Sequence, residues 1–305
     1  MTPLMETMLI LFIMMVIGYI ANKTKIMTSA TNDEISNLVV NITTPALIIA
    51  SVLGEETRST ELNVFYLLAI GIILYLGLIL FGNLFIRVFP FFKSESTIYK
   101  FMLIFGNIGY MGYPIFRSLF GEAAIFISVL INMPFNILMF SYGVYSFAKA
   151  SGRESRFAWK NFLTPGLVSA VTALVLYFIP MNVPEFIRSP LASIGNATVP
   201  LSMILIGFSL GEIELIEVVK DYKTILISLV KLIVVPIIVF YIAGIFIKDQ
   251  ELVELLTINA ALPAASLIVI LATQYKVQYK VSTIGVFVST VLSIATIPLI
   301  ELLLF

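Results

Sequence analysis

Apolar residues in this chain neither alternate nor keep to one helical face; they come in long unbroken runs. A helix that crosses a bilayer needs about 20 apolar residues. On that rule the runs predict ten spans, near 4–22, 34–53, 62–87, 99–118, 122–147, 161–180, 188–210, 222–247, 252–274 and 281–304. The connections between them are short. The first run lacks a basic leader and a small-residue cleavage site, so it reads as a span and not as a signal peptide.

The runs form two groups of five. Asn41-Ile42-Thr43-Thr44-Pro45 stands in the second run, and Asn196-Ala197-Thr198-Val199-Pro200 in the seventh. Both are Asn-x-Thr-x-Pro, offset by 196 − 41 = 155 residues. Leu53-Gly54-Glu55 and Leu210-Gly211-Glu212 follow them; Asn107 and Pro114 in the fourth run are matched by Asn259 and Pro263 in the ninth. An odd number of spans per copy turns the second copy upside down. The expected architecture is an all-α polytopic membrane protein with two inverted five-helix repeats, 1–148 and 161–305, joined by a linker at 149–160. Inverted repeats point to secondary transporters, whose sites lie near the bilayer midplane where the repeats meet.

Composition narrows the chemistry. The chain has 305 residues, 60% of them hydrophobic and 12% charged, and a mean hydropathy of +1.05. Lys+Arg and Asp+Glu number 18 each, so charge gives no reason to expect nucleic acid. With no Cys and no His, a Cys–His or Ser–His dyad and a His-ligated metal site are excluded. No cofactor and no enzymatic activity are expected. Thirteen of the 18 basic residues fall in connections after odd-numbered runs and four after even-numbered ones. The excess marks the cytoplasmic side, which places both termini outside the cell membrane. Trp159 suits an interfacial anchor.

Candidate chemistry concentrates in two runs. Gly106-Asn107-Ile108-Gly109-Tyr110-Met111-Gly112-Tyr113-Pro114 packs three glycines, one asparagine and one proline into nine residues. Glycine permits close backbone approach, and proline removes a donor and clashes with the preceding turn. Asn259 to Ser266, with Pro263 at its centre, is the counterpart. Two helices broken there can cross and aim their amide N–H groups at one spot, a favourable place for an anion. The alternative is plain packing of small residues. The Asn-x-Thr-x-Pro side chains are expected to satisfy carbonyls freed by Pro45 and Pro200. Lys231 is the one ionisable residue deep in a run; it either faces substrate or snorkels to the interface. Asn132, beside Pro134 and Asn136, is a further cavity candidate, while Ser289 and its neighbours in the last run read as interhelical glue. Asp and Glu keep to the ends of the runs, none of them deep inside one, which argues against a cation substrate.

Asn107-Ile-Gly-Tyr-Met-Gly-Tyr-Pro114 with Leu119-Phe-Gly-Glu122 resembles the signature of the auxin efflux carrier (PIN-like) family, which includes bacterial malate- or malonate-type permeases. Thr44-Pro-Ala-Leu47, Pro200 to Gly207, Lys231 to Pro236 and Leu262 to Val269 are similar to it as well. The resemblance implies ten spans with outward termini and a fold like that of bile-acid symporters and sodium/proton antiporters. Spans 4 and 9 would cross at Pro114 and Pro263. Spans 1, 2, 6 and 7 would form a scaffold, and spans 3–5 and 8–10 a moving transport domain. It implies a carrier for a small organic anion, held near Asn107, Gly109, Tyr110, Gly112, Pro114, Asn132, Asn259, Pro263, Ser266 and Lys231. Proton or sodium coupling and a homodimer are compatible with it. A sodium-coupled symporter of the bile-acid type, or a non-transporting membrane sensor, are the alternatives.

Overall fold

The computed structural model describes residues 3–53, 63–152, 164–179, 183–212 and 220–305. Gly54, Glu55, Trp159 and most of the 149–160 linker lie outside those residues. Apart from one isolated bridge, the described backbone is helical. Five helical segments are long and apolar enough to cross a bilayer: Ser29–Leu53, Val64–Val88, Glu185–Gly211, Tyr222–Phe246 and Tyr279–Leu304. Shorter apolar helices include Leu9–Lys23, Ala123–Phe135 and Pro165–Phe178.

The helices run α1 Pro3–Lys23, α2 Ser29–Leu38, α3 Thr44–Leu53, α4 Val64–Val88, α5 Ser96–Ile104, α6 Tyr113–Phe120, α7 Ala123–Leu138, α8 Val144–Ala150, α9 Pro165–Phe178, α10 Glu185–Asn196, α11 Thr198–Gly211, α12 Tyr222–Leu229, α13 Val235–Phe246, α14 Gln250–Ala261, α15 Leu267–Tyr275 and α16 Tyr279–Leu304. Single widened π turns lead into four of them: Val39–Thr43 before α3, Ile108–Gly112 before α6, Met139–Gly143 before α8 and Val230–Val234 before α13. A proline stands two residues beyond three of these turns, at Pro45, Pro114 and Pro236. The reason is steric. A proline in a regular helix has no N–H for the carbonyl four residues back, and its ring collides with that carbonyl. Bonding five residues back widens the turn and moves the carbonyl aside. Thr44 N–H to Val39 O and Val235 N–H to Val230 O are bonds of this kind.

The chain divides into two compact units. Unit 1 comprises Met1–Gly71, Gly109–Asn136 and Ala158–Glu212. Within it α1 packs along α11, and α9 and α10 pack on α3. The α1–α11 seam depends on glycine. A Cβ on Gly207 would stand 1.8 Å from the Met15 carbonyl oxygen, and one on Gly18 would stand 2.1 Å from that of Ile204. Backbone therefore meets backbone on both helices, as small residues permit between membrane helices. Both Asn-x-Thr-x-Pro motifs lie in this unit, each where helical geometry changes. Asn41 Nδ2 donates to Asn37 O at 2.7 Å and Thr43 Oγ1 to Val39 O at 3.5 Å, so the first motif does satisfy nearby carbonyls. The second departs from that expectation: Asn196 Oδ1 accepts from Arg117 at 2.5 Å, and the buried Thr198 hydroxyl has no hydrogen-bond partner.

Unit 2 comprises Ile72–Ile108, Ile137–Phe157 and Ile213–Phe305. Here α16 packs against α12, α14 and α15, and α13 lies on α14. An aromatic group from α4, the turn after it and α5 fills part of its interior, with Phe92 edge-on to Tyr99 at 5.4 Å and Tyr75 stacked on Phe105 at 6.4 Å. The lipid-facing side is apolar, as the exposed Ile72, Ile73, Leu76 and Leu80 on α4 show.

Candidate functional site

Two helices of unit 2 stop facing one another. In α14 the stop is written in Leu262-Pro263: the residue before a proline is forced out of the helical region, and Leu262 takes φ −60°, ψ 141°. Phe105, after α5, turns extended at φ −105°, ψ 110°. Backbone that leaves a helix at membrane depth must find other partners. The two strands of backbone find each other. Asn107 N–H donates to Pro263 O at 2.7 Å, and Ala265 N–H donates to Phe105 O at 3.0 Å. Gly106 and Ala264 face one another across this antiparallel bridge. Pro263 fits because only its carbonyl is needed there. Gly106 fits because the approach is close: a Cβ on it would lie 3.1 Å from Leu262 Cβ and 3.5 Å from the Asn259 carbonyl oxygen. The remaining amide, Ala264 N–H, donates to Ser289 Oγ of α16 at 3.1 Å. That hydroxyl in turn donates to Gly285 O at 2.7 Å.

This geometry corrects two expectations. The pairing is centred on Gly106 and Ala264, not on Pro114, which occupies the second position of α6. The helical backbone has already restarted at the Ile108–Gly112 π turn, so Pro114 lies beyond the break and not at it. Second, the amides of Asn107, Ala264 and Ala265 are not held out to a guest; each is hydrogen-bonded within the protein. An anion here would have to be held by side chains and by amides further along the restarted helices.

Among the residues picked from sequence, Asn107, Asn259, Pro263 and Ser266 gather at this bridge in unit 2. Asn107 and Asn259 are each 4% exposed, which makes them buried amides at the centre of an apolar unit. Ser266 starts the turn into α15, its carbonyl accepting from Val269 N–H at 3.0 Å. Lys231 also belongs to unit 2 and is 1% exposed. Its Nζ donates to Leu103 O at 3.3 Å, so it does not snorkel to an interface. Gly109, Tyr110, Gly112, Pro114 and Asn132 belong to unit 1. There Tyr110 Oη and Ser36 Oγ are hydrogen-bonded at 3.0 Å. Asn132 Nδ2 donates to Ser128 O of its own helix at 2.8 Å. Gly109 has open space where a Cβ would stand, and Gly112 keeps an ordinary helical φ of −63°. Ser289 is the residue the sequence undervalued. Its only signal was a Ser-Thr-rich last run, which suits interhelical glue equally well.

A family described as membrane transport protein matches residues 3–301. The chain belongs to this family. It is the auxin efflux carrier, PIN-like family that the Asn107–Pro114 segment resembles. A protein of Methanocaldococcus jannaschii described as an uncharacterized transporter is 25% identical over 307 residues, covering 97% of each chain. The protein is accordingly a multi-pass membrane transporter, not an enzyme. In a membrane protein, non-helical backbone at this depth is tolerated only where it is buried in protein or lines a cavity.

Proposed function

We propose that this transporter is a secondary carrier that moves a small organic anion, a carboxylate, across the cell membrane by elevator-type alternating access. The observation that carries the reading is the Gly106–Ala264 bridge with two buried amides, Asn107 and Asn259, beside it and one buried ammonium, Lys231, one bond away from α5. Among the described residues no buried carboxylate joins them: each buried charged or polar group there is cationic or neutral, which suits a negative substrate. Ten spans in two inverted repeats with both termini outside complete the proposal. The scaffold is spans 1, 2, 6 and 7, and the transport domain spans 3–5 and 8–10. In support, α1 to α3 and α9 to α11 fall in unit 1 and α12 to α16 in unit 2, whereas 109–136, from spans 4 and 5, fall in unit 1 against this division. A homodimer and coupling to protons belong to the same proposal, and sodium coupling marks the bile-acid-type alternative.

The test uses purified protein in liposomes with labelled malate, malonate and an aromatic acid, with and without a sodium gradient. Uptake of a carboxylate that falls at least tenfold in Asn107→Ala and Asn259→Ala, with unchanged reconstitution, is expected. Uptake that needs sodium would favour the bile-acid-type alternative. Carboxylate transport at the wild-type rate in both variants would remove the bridge from the mechanism.

A further inference from the structure

Unit 2 contains a cavity of about 590 Å³ away from the bridge residues, lined by the end of α8, the start of α5, one turn of α4 and the 276–278 turn. Three lysines, Lys100, Lys149 and Lys276, line it, and no carboxylate does. None of the three is in an ion pair among the described residues. Glu95, the acidic residue closest in sequence to the lining, lies 3.7 Å from Lys223 and accepts from the hydroxyl of Ser94, a lining residue. Concentrating three ammonium groups around one hollow is electrostatically unfavourable unless an anion visits it.

Two further features mark the hollow as built. Lys276 (φ 55°) and Gln278 (φ 44°) both sit in the left-handed region that L-residues avoid. That turn is clamped: Gln278 Nε2 donates to Ser94 O, and Val277 N–H donates to Ala272 O at 2.9 Å. Lys276 and Lys100 both line the hollow. On the other wall Asn83 Nδ2 donates to Ile79 O at 2.8 Å and to Tyr142 Oη at 3.3 Å. The phenol oxygen is thereby an acceptor from Asn83, which leaves its proton to donate into the cavity.

We propose that this cavity binds a phosphate-bearing anion at a site separate from the Gly106–Ala264 bridge. Phosphate offers three acceptor oxygens and close to two negative charges, which matches a lining of three lysines with hydroxyls and amides better than a single carboxylate does. The phosphate has two possible sources, an anionic phospholipid headgroup or a free organic phosphate. Both use the same lysines, and occupancy would tie α4, α5, α8 and the 276–278 turn together within this unit.

The experiment takes the full chain, purified in detergent, through two arms. In the first, inorganic pyrophosphate is titrated and read by thermal shift. In the second, phosphatidylglycerol retention is read by native mass spectrometry against phosphatidylcholine. The variants are Lys100→Gln/Lys149→Gln/Lys276→Gln and a control with equal charge removal, Lys25→Gln/Lys220→Gln/Lys248→Gln. A saturable pyrophosphate shift weakened at least tenfold in the first variant and kept in the control identifies a free phosphate site. Selective phosphatidylglycerol retention lost in the same way identifies a headgroup site. The single substitutions, each weakening binding two- to fivefold, serve if the triple variant does not fold. Asn107→Ala retains the binding if the site is separate, whatever becomes of carboxylate transport. Absence of both ligands, or equal loss in test and control variants, overturns the proposal.

Discussion

Lys231 Nζ donates to the carbonyl oxygen of Leu103, at 3.3 Å, in place of a backbone partner that has gone elsewhere. In a regular helix that carbonyl would accept from the N–H of Asn107, four residues on. Asn107 N–H instead crosses to Pro263 O. The bridge therefore strips a hydrogen bond from the last turn of α5, and a buried ammonium replaces it at the negative end of that helix.

Lys231→Met tests this relationship. Replacing a buried charge by an apolar chain of similar length is often close to neutral for stability, while the carbonyl left behind loses about 1–3 kcal/mol. The expected result is a melting temperature within a few degrees of wild type and transport lowered at least tenfold. Unaltered transport in liposomes would show that the ammonium does not position the bridge.

Ser289→Ala removes the acceptor for Ala264 N–H and leaves that amide buried without a partner. The expected cost is about 1–3 kcal/mol, visible as a lower melting temperature. Ser289→Thr retains the hydroxyl and should recover most of it if its added methyl is accommodated. Equal stability of wild type and Ser289→Ala would mean that Ala264 N–H finds another acceptor.

Gly106 is set by contact. In Gly106→Ala the new Cβ meets Leu262 Cβ at 3.1 Å, a fit that requires a small shift. Gly106→Val adds two methyl groups and should separate Phe105–Asn107 from Pro263–Ala265, at a cost of about 1–3 kcal/mol. Transport should decline in the order Gly, Ala, Val. A valine variant as active as wild type would show that the two interrupted helices need not touch.

Glycines elsewhere divide cleanly. Gly18→Leu and Gly207→Leu should reduce the yield of folded, monodisperse protein, since each side chain would collide with a backbone carbonyl of the partner helix. Gly77→Ala and Gly244→Ala, where nothing lies within 4 Å of the new Cβ, should be neutral or stabilise their helices by about 0.5–1 kcal/mol. Size-exclusion profiles of the four variants decide it; a monodisperse Gly207→Leu would refute the α1–α11 seam.

Much of this was legible in the sequence, for identifiable reasons. The interruption of the ninth run was written in Leu262-Pro263, because proline acts on its predecessor through local sterics. The fourth run offered Gly106, Gly109, Gly112 and Pro114 as places to break, and the family resemblance put the crossing at the proline. The partner segment selected Gly106, the glycine with room for another backbone beside it. Lys231 was legible as a costly buried charge but its partner was not, since Leu103 O became available only through the distant Asn107–Pro263 bond. Ser289 looked like any other hydroxyl in an apolar run, and the three cavity lysines looked like ordinary loop charges.

The sequence by itself determined that the chain lives in lipid, that its helices must falter near Asn107 and at Leu262-Pro263, and that thiol, imidazole and His-metal chemistry are absent, because hydropathy, proline sterics and residue types act locally. The tertiary structure decided which carbonyl each stray amide would find. It paired Gly106 with Ala264, gave Ala264 N–H to Ser289 and gave Leu103 O to Lys231, since hydrogen bonds between different helices depend on packing that no local pattern encodes.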